Sequence, residues 1–367
     1  MKSYKVKSGD TLGSIAFKQL GSAGQWREIA ELNNIINPNK IEVGEVLQLP
    51  SIGDPEASTQ KSDVIIIDEN DKIYYQYKND ATKRYLGTRF RKGISRRGSQ
   101  NTETFIKENP SLLSRLKISK SEANALLATS ENEGNLDAIN TYDNSFMSFG
   151  MFQWTLGTKS NDGELPALIK LVKEKYPKAF EQFCGQFDLT VSADTNTVSG
   201  YLIYQGKKVD TVAEKSFFRS NIVAYRFAAA GLDKRVNAVQ VLHAINRFNR
   251  FYFINTSRLG GHTLFELLSS EYAAALFLDN HVNRPAYVLP CVSKAIKSTG
   301  LTFEELKNGG DAEEMKVINQ YLILRETYGS SPMTDAKGRA EVVKRYLDNG
   351  QFSAKKGSFK SNRLLRG

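Results

Sequence analysis

The chain has 367 residues, of which 40% are hydrophobic and 25% are charged. Because a domain takes roughly 100 to 200 residues, this length favours two or three domains, and the ordinary composition excludes bulk disorder. Lysine and arginine total 50 against 40 acidic residues, which gives a net charge of +10. Such a charge favours a polyanionic partner: nucleic acid, an acidic membrane surface or a polymer of the bacterial envelope.

Neither a secretory signal nor a membrane span is predicted. The start, MKSYKVKSGD, has no apolar segment, and no window reaches about 18 consecutive apolar residues. Cys184 and Cys291 lie far apart without a CxxC pattern. We therefore expect two buried apolar side chains, with a disulfide or a reactive thiol as the alternative.

The first 50 residues predict a small β-α-α-β unit. Tyr4 and Val6 alternate as in a strand, and Asp10 or Thr11 can cap a first helix. A second helix carries Trp26, which we expect in the core of the unit. The segment VLQLP then forms a closing strand.

These 50 residues resemble a LysM module in the start YKVKSGDTL, in Asn33 and in the end GEVLQLP. LysM modules bind glycans that contain N-acetylglucosamine, so the resemblance implies peptidoglycan or chitin as a partner. The segments QWREIAELNNI and NPNKI are especially similar to the LysM modules of phage tails and contractile injection machines. There the module can serve assembly, so glycan strands and machine proteins both stay open as partners.

The next 60 residues predict a linker, a hairpin and a basic segment. Residues 51–62 are small, polar and turn-forming, and a hairpin is expected around Glu69-Asn70-Asp71. From Lys83 to Arg97 there are seven basic residues and no acidic one. This segment is either a solvated loop or a contact for a polyanion. Only Tyr85 and Phe90 are interleaved with the basic residues, which is fewer aromatic residues than a nucleic-acid-binding fold needs, so no nucleic acid partner is expected.

From Ser111 onwards the pattern is mostly helical. A hairpin with its turn at Gln205-Gly206 interrupts it, and the basic tail from Gln351 is expected to be flexible or a docking arm. The predicted helices span 120–132, 164–183, 211–230, 234–249, 263–282, 286–298 and 311–328.

The segment ATSENEGNLDAINTYDNSFMSFGMFQW contains the candidate catalytic carboxylates. Ser119 and Glu122 fit a capping box, so a helix should start at Lys120, and Gly134 can end it in a left-handed conformation. Glu133 would then be the last helical residue, facing a short hairpin. Glycosidic bond hydrolysis needs a protonated carboxylic acid and a second carboxylate or a positioned water, and this arrangement supplies those parts.

The Glu-Gly step at Glu133 and the following hairpin resemble the phage-type lysozymes. The resemblance implies Glu133 as the general acid, Asp143 as the residue that orients or activates water, and Ser148 in the place of the family's threonine. Glu131 is the alternative acid, because periodicity does not separate it from Glu133. Asp137 is expected to cap a turn.

A second resemblance involves SFGMFQW, which is similar to the G-L-M-Q segment of lytic transglycosylases. Those enzymes use a single glutamate and no aspartate. Tyr142, Gln153 and Trp154 are the candidates for contacts with the sugar. The histidines lack the spacing of metal-ligand pairs, so neither a metal nor an organic cofactor is expected.

Together the patterns predict an α+β, multidomain protein: a βααβ LysM module, then a mainly α-helical lysozyme-like domain with a short β-hairpin at the active-site cleft. The predicted function is a muramidase-type peptidoglycan hydrolase, made in the cytoplasm and acting in the bacterial envelope after lysis, injection or carriage on a phage or injection particle. The alternatives are a lytic transglycosylase, a weakly active structural component of such a machine, and a chitosanase or chitinase. The predicted segments are LysM 1–50, linker 51–62, hairpin and basic region 63–110, catalytic domain 111–350 and tail 351–367.

Overall fold

The computed structural model describes residues 2–20, 26–33, 35, 37–49, 64–131, 133–330 and 332–366. Within these ranges the chain mixes helices and strands, which agrees with the predicted α+β class.

The N-terminal unit has the predicted β-α-α-β order. Its elements are β1 (Lys2–Lys5), α1 (Leu12–Leu20), α2 (Trp26–Leu32) and β2 (Val46–Leu49). The two strands are antiparallel, with Tyr4 opposite Leu47. Asn33 fastens β2 to the end of α2, because its amide donates to the carbonyls of Ile29 and Gln48, both at 2.7 Å, and accepts from the Gln48 N–H at 2.7 Å. Trp26 packs against the small core, as expected.

A seven-stranded antiparallel sheet follows, in which each strand pairs with the next one along the chain. The hairpin predicted near Asn70 is confirmed, since Glu69 pairs with Lys72 and Asn70 has a φ of 57°. The strands are β3 (Val64–Glu69), β4 (Lys72–Tyr77), β5 (Arg84–Phe90), β6 (Gly93–Arg96), β7 (Ile139–Asn140), β8 (Ser148–Phe149) and β9 (Trp154–Thr155).

The basic segment is not a loop, which corrects that interpretation: it forms β5, β6 and the turn between them. Leu86 and Ile94 explain why, because both are buried in the core while basic side chains of the same segment stay at the surface. Ser95 on β6 pairs with Asn140 on β7. The sheet therefore joins the predicted hairpin and basic region, 63–110, to the predicted catalytic domain, 111–350.

Helices cover one large hydrophobic cluster, to which the sheet also contributes. They are α3 (Thr102–Glu108), α4 (Pro110–Arg115), α5 (Lys120–Ser130), α6 (Leu165–Lys175), α7 (Pro177–Phe183), α8 (Val212–Phe217), α9 (Asn221–Ala230), α10 (Lys234–Ile245), α11 (Leu264–Leu267), α12 (Glu271–Asn283), α13 (Val288–Ser298), α14 (Phe303–Asn308), α15 (Asp311–Thr327) and α16 (Ala336–Asp348).

Three predicted helices are each two shorter ones, and α3, α4, α14 and α16 were not predicted. The predicted helix 164–183 breaks at Tyr176, because Pro177 cannot continue a helix but suits the first turn of α7. The predicted helices 211–230 and 263–282 are also two shorter helices each, α8 with α9 and α11 with α12. Their junctions contain no proline, and Ser220 and Ser270 are the N-caps of the second helices.

A small sheet of β10 (Leu189–Val191), β11 (Leu202–Tyr204) and β12 (Lys207–Lys208) lies between α7 and α8 in the chain. Its predicted turn is confirmed, with left-handed φ values of 48° at Gln205 and 75° at Gly206.

The C-terminal segment is packed, so the prediction of a flexible tail is wrong. Phe352 and Phe359 are buried in the hydrophobic cluster. Arg366 donates to both carboxylate oxygens of Glu122, at 2.9 and 2.8 Å, and the Glu122 side chain is fully buried. The end of the described chain therefore holds the first turn of α5.

Candidate active site

The candidate acid follows α5, the helix that begins with the predicted capping box. Glu122 N–H donates to Ser119 Oγ at 3.0 Å, and Ser119 N–H donates to Glu122 Oε2 at 2.9 Å. The helix ends at Ser130, with Glu131 as its C-cap. Glu133 is therefore not the last helical residue, which corrects the sequence prediction.

Beyond the helix, the backbone turns towards the segment that follows β8. The Glu133 N–H donates to the Ser130 carbonyl at 3.0 Å, and the Gly134 N–H donates to the Met151 carbonyl at 2.9 Å. Gly134 does not have a positive φ, so it does not supply the expected left-handed cap. Its hydrogen bond to Met151 instead fixes the start of the loop that carries Glu133.

The Glu133 carboxylate is oriented by a chain of charges. Nη2 of Arg339 lies 2.6 Å from Glu133 Oε1 and 2.7 Å from Asp279 Oδ1. Asp279 is fully buried, and its second oxygen accepts from Arg325 at 2.7 Å. Because Asp279 is held between two arginines, it fixes Arg339, and Arg339 in turn fixes the carboxylate of Glu133.

Burial raises the pKa of Glu133, although the hydrogen bond and charge of Arg339 lower it. The Glu133 side chain still has 21% of its surface exposed. The site therefore combines a carboxyl group whose pKa is raised by burial with access from solvent, and a general acid needs both properties.

A second charged cluster lies beside the first. Glu164 precedes α6, and its carboxylate accepts from Arg247 and Arg250, each at 2.7 Å. His243 Nε2 lies 3.1 Å from Glu164 Oε1. Burial raises the pKa of Glu164, but the hydrogen bond with His243 and the charges of the two arginines lower it to about 2. Glu164 is therefore ionised at neutral pH.

Arg247 connects the two clusters, because its charge acts on both Glu133 and Glu164. It also lies over the ring of Phe152, 5.5 Å from the centroid. His281 stacks on Phe251 at 4.3 Å, and burial together with the nearby arginines lowers its pKa to about 3. At neutral pH the wall beside Glu133 is therefore cationic through its arginines, with His281 uncharged.

The rival acid has a different environment. Glu131 is 41% exposed and forms an ion pair with Arg345 on α16. Glu131 is therefore more exposed than Glu133, whose side chain is 21% exposed and which contacts Arg339 instead.

Asp143 and Ser148 lie on the hairpin of β7 and β8. Asp143 Oδ2 accepts from Asn140 at 3.0 Å and Oδ1 accepts from the Ser145 N–H at 2.8 Å, so both oxygens are engaged within the loop. Ser148 is buried in β8, opposite Asn140 and Thr155. Among the described contacts, neither residue shares a hydrogen-bond partner with Glu133, and their roles towards water stay predictions.

The three candidate sugar contacts are placed differently from one another. Tyr142 is exposed and stacks on Phe90 at 4.2 Å. Gln153 has a φ of 49°, and its amide donates to the Gly150 carbonyl at 2.9 Å. Trp154 is 1% exposed, with its ring 5.3 Å from that of His243. Because Trp154 is buried, it supports the site from behind and cannot stack on a sugar, which corrects that prediction.

Asp137 is a fully buried structural residue. It accepts from the N–H groups of Ser99 and Gln100, at 2.6 and 2.7 Å, and from Arg96 at 2.8 Å. It therefore caps a turn, as predicted, but the turn belongs to the segment after β6 and not to its own loop.

Sequence reasoning missed most of the charged partners. His243, Arg247 and Arg250 recur at intervals of four and three residues, which places them on one face of α10 and its 3₁₀ continuation, Asn246–Arg250. That spacing was a usable signal. No local spacing could indicate the second group of partners, because Asp279, Arg325 and Arg339 lie on three separate helices.

No group of three histidine, cysteine, aspartate or glutamate side chains is placed to hold a metal ion in the described ranges. Cys184 and Cys291 are buried and free, as expected. Among the described helices, none combines the length and the apolar character needed to cross a bilayer.

The N-terminal unit can be compared with known families. The family model of the LysM domain matches residues 4–50. This segment is a LysM domain. The LysM domain implies peptidoglycan binding, which agrees with the glycan partner expected from the sequence. The Asn33 side chain bonds β2 through both its amide nitrogen and its amide oxygen. This residue therefore stabilises the fold of the LysM domain.

A relative from Deinococcus radiodurans, described as an uncharacterized protein, is 43% identical over 47 residues. The match covers 13% of this chain and 19% of that protein. The chain therefore spans about a fifth of the relative's length, and the match concerns a region of the size of one small domain.

Proposed function

We propose that this protein cleaves the glycan strands of peptidoglycan, with the LysM domain as its wall-binding module and Glu133 as its general acid. The observation that carries the proposal is the state of Glu133. It is reachable from solvent, oriented by Arg339, and buried enough that its pKa is raised. A carboxyl group in this state suits donation of a proton to the oxygen of a glycosidic bond.

In the proposed reaction, Glu133 protonates the leaving oxygen as the bond to the anomeric carbon breaks. The positive charge that develops on the sugar ring is then balanced by the carboxylate that Glu133 has become. Arg339 keeps this carboxylate in one orientation, because Asp279 fixes Arg339 from the other side. In the muramidase-type reaction, water completes the step, and Asp143 and Ser148 are the proposed residues that hold it.

A lytic transglycosylase is the second candidate, and the state of Asp143 favours it. Both oxygens of Asp143 are bonded within its own loop, and Ser148 is buried. An enzyme with a single glutamate does not need either residue. A hydroxyl of the sugar itself attacks the anomeric carbon, gives its proton to the carboxylate that Glu133 has become, and forms an anhydro ring.

Digestion of purified peptidoglycan by the full chain tests the proposal. We expect the wild type and the Glu131→Gln variant to release fragments, and the Glu133→Gln variant to release none. Glu131→Gln is the matched control, because it removes a carboxylate two residues away without touching the Arg339 contact. If Glu133→Gln stays active, the assignment is wrong. If the wild type is inert on several wall types, a structural role in a machine replaces the enzymatic one.

Mass spectrometry of the released fragments separates the two candidates. Reducing ends indicate that water completed the reaction, whereas anhydro ends indicate the transglycosylase. An Asp143→Asn variant adds a second criterion. Its activity should fall if water completes the reaction, and should be unchanged if the protein is a transglycosylase.

The LysM domain has a competing role as an attachment module of a phage tail or contractile injection machine. The similarity of QWREIAELNNI and NPNKI to such modules supports this role. Sedimentation of the Glu133→Gln chain with intact sacculi tests it: co-sedimentation supports glycan binding. Failure to sediment, together with co-purification with tail or injection particles, supports attachment.

A further inference from the structure

A groove of about 430 Å³ lies along the hairpin of β5 and β6. It is lined by Tyr85, Thr88, Phe90, Ser95, Arg96 and Arg97, among others, and is called the β5–β6 groove below. None of these residues has a role in the mechanism proposed for Glu133, so the groove needs a separate explanation.

Exposed aromatic rings form part of this surface. Tyr85 and Phe90 are 41% and 44% exposed. Phe90 is stacked on Tyr142 with the ring planes 17° apart, and the Tyr85 hydroxyl shares a hydrogen bond of 2.6 Å with Thr88. The rings are thus held in place by neighbours while remaining open to solvent, which suits contact with a flat apolar face of a ligand.

The floor of the groove is fixed by Arg96. Its Nη1 donates to the Tyr85 carbonyl at 2.7 Å, and its Nη2 donates to the buried carboxylate of Asp137 at 2.8 Å. These two bonds tie β5 and β6 to the α5–β7 loop. A site that is held in this way loses little conformational freedom when a ligand binds.

Exposed cations without ion pairs lie in the same hairpin as the rings. Arg91 and Lys92 form the turn next to Phe90, and Arg97 lines the groove itself. All three are exposed, and in the part of the chain that the structure describes none is ion-paired, whereas other arginines of the segment are paired with acidic residues. Charges left without partners on one surface favour an anionic ligand.

We propose that the β5–β6 groove is a second glycan-binding site, which takes an anionic sugar strand. Pyranose rings lie against Tyr85 and Phe90, and carboxylates of the strand lie against Arg91, Lys92 and Arg97. The LysM domain favours this ligand over nucleic acid, because it implies that the chain binds peptidoglycan, whose stem peptides carry free carboxylates. The proposal does not depend on cleavage by Glu133.

Hydrogen exchange of the full chain tests the proposal, with Glu133→Gln introduced so that a bound strand is not cut. The probes are soluble peptidoglycan strands, neutral chitohexaose and single-stranded oligothymidylate. We expect the peptidoglycan strands to protect residues 84–99, and the protection to weaken as salt is raised, because exposed charges are screened. Chitohexaose should protect these residues less. Protection confined to the LysM domain, or protection of 84–99 by the oligonucleotide and not by the glycan, would overturn the proposal.

A variant with fewer charges in the hairpin measures how much these cations contribute to binding. Replacing Arg91, Lys92 and Arg97 by glutamine should weaken binding at this site roughly five- to tenfold, since each exposed charge contributes a few tenths of a kcal/mol. A control with Lys159, Lys178 and Lys234 replaced by glutamine loses the same charge at exposed positions outside the groove. Equal weakening in both variants would show general attraction and would contradict a defined site.

Discussion

Glu133 and Asp279 both accept a hydrogen bond from the same nitrogen of Arg339. This atom, Nη2, lies 2.6 Å from Glu133 Oε1 and 2.7 Å from Asp279 Oδ1. The partly buried carboxyl group of Glu133 is thereby linked to the fully buried one of Asp279. Because Asp279 cannot move without leaving a buried charge unpaired, the orientation of Glu133 is set from inside the protein.

The Arg339→Gln variant is expected to lose activity and to shift its pH profile. Arg339 lowers the pKa of Glu133, so its removal raises that pKa further. A general acid loses activity as pH rises through its pKa, so the alkaline limb should move to higher pH. Loss of orientation should lower kcat about a hundredfold. The measurement is the pH dependence of kcat on soluble glycan strands.

Arg345→Gln is the matched control for that experiment. It removes an arginine of the same helix, whose ion pair with Glu131 is exposed. A shift of the alkaline limb in this control as large as in Arg339→Gln would contradict the positioning role of Arg339.

Glu164→Gln is expected to destabilise the fold by about 3 kcal/mol at pH 7, because it leaves two partly buried arginines without their anion. The pKa of Glu164 is lowered from 4.5 to about 2 in the folded state. Its contribution to stability is therefore present above pH 4.5 and is lost as pH falls towards 2. Urea unfolding at pH 7 and at pH 3 should show a smaller difference between wild type and variant at the lower pH. A difference that does not change with pH would refute this account.

Arg366→Met should destabilise the protein by about 3 kcal/mol, since it leaves the buried carboxylate of Glu122 with fewer partners. Arg366 donates to both oxygens of Glu122, whose lowered pKa also reflects Ser361. Thermal unfolding measures the effect. Arg363→Met, which changes an exposed arginine of the same segment, is the control and should cost little.

Gly150→Ala is expected to destabilise the fold by roughly 3 kcal/mol or more, because an added Cβ would lie 2.1 Å from Gln240 Oε1. Gln240 is buried and joins the Leu136 carbonyl to the Met151 N–H, so it cannot simply move away. Gly206→Ala is the control. It has a similar left-handed φ and no atom within 4 Å, so it should cost about 1 kcal/mol. Equal losses in the two variants, measured by urea unfolding, would show that the clash is unimportant.

Local sequence patterns predicted the local structure well. The capping box at Ser119, the turn at Gln205-Gly206 and the LysM unit each depend on residues close together in the chain, and each is confirmed. The predicted ends of α5, at residue 132 and at Glu133, lie two and three residues beyond its observed end at Ser130. Gly134 does not cap this helix, because its N–H bonds to the Met151 carbonyl.

The surroundings of Glu133 depend on distant parts of the chain, and local patterns carry no information about them. Arg339 lies on α16, which is outside the predicted helices, and Asp279 lies on α12. Burial, which raises the pKa of Glu133, is likewise a property of the assembled fold. The sequence could therefore nominate Glu133, but it could not show which charges act on it.

The contact between Arg366 and Glu122 also has a consequence for biosynthesis. These residues are 244 positions apart, and Arg339 lies 206 positions after Glu133. A ribosome therefore completes the LysM domain long before it adds the residues that hold α5 and orient Glu133. Until those residues emerge, the nascent chain carries a complete LysM domain, while the surroundings of Glu133 are still unassembled.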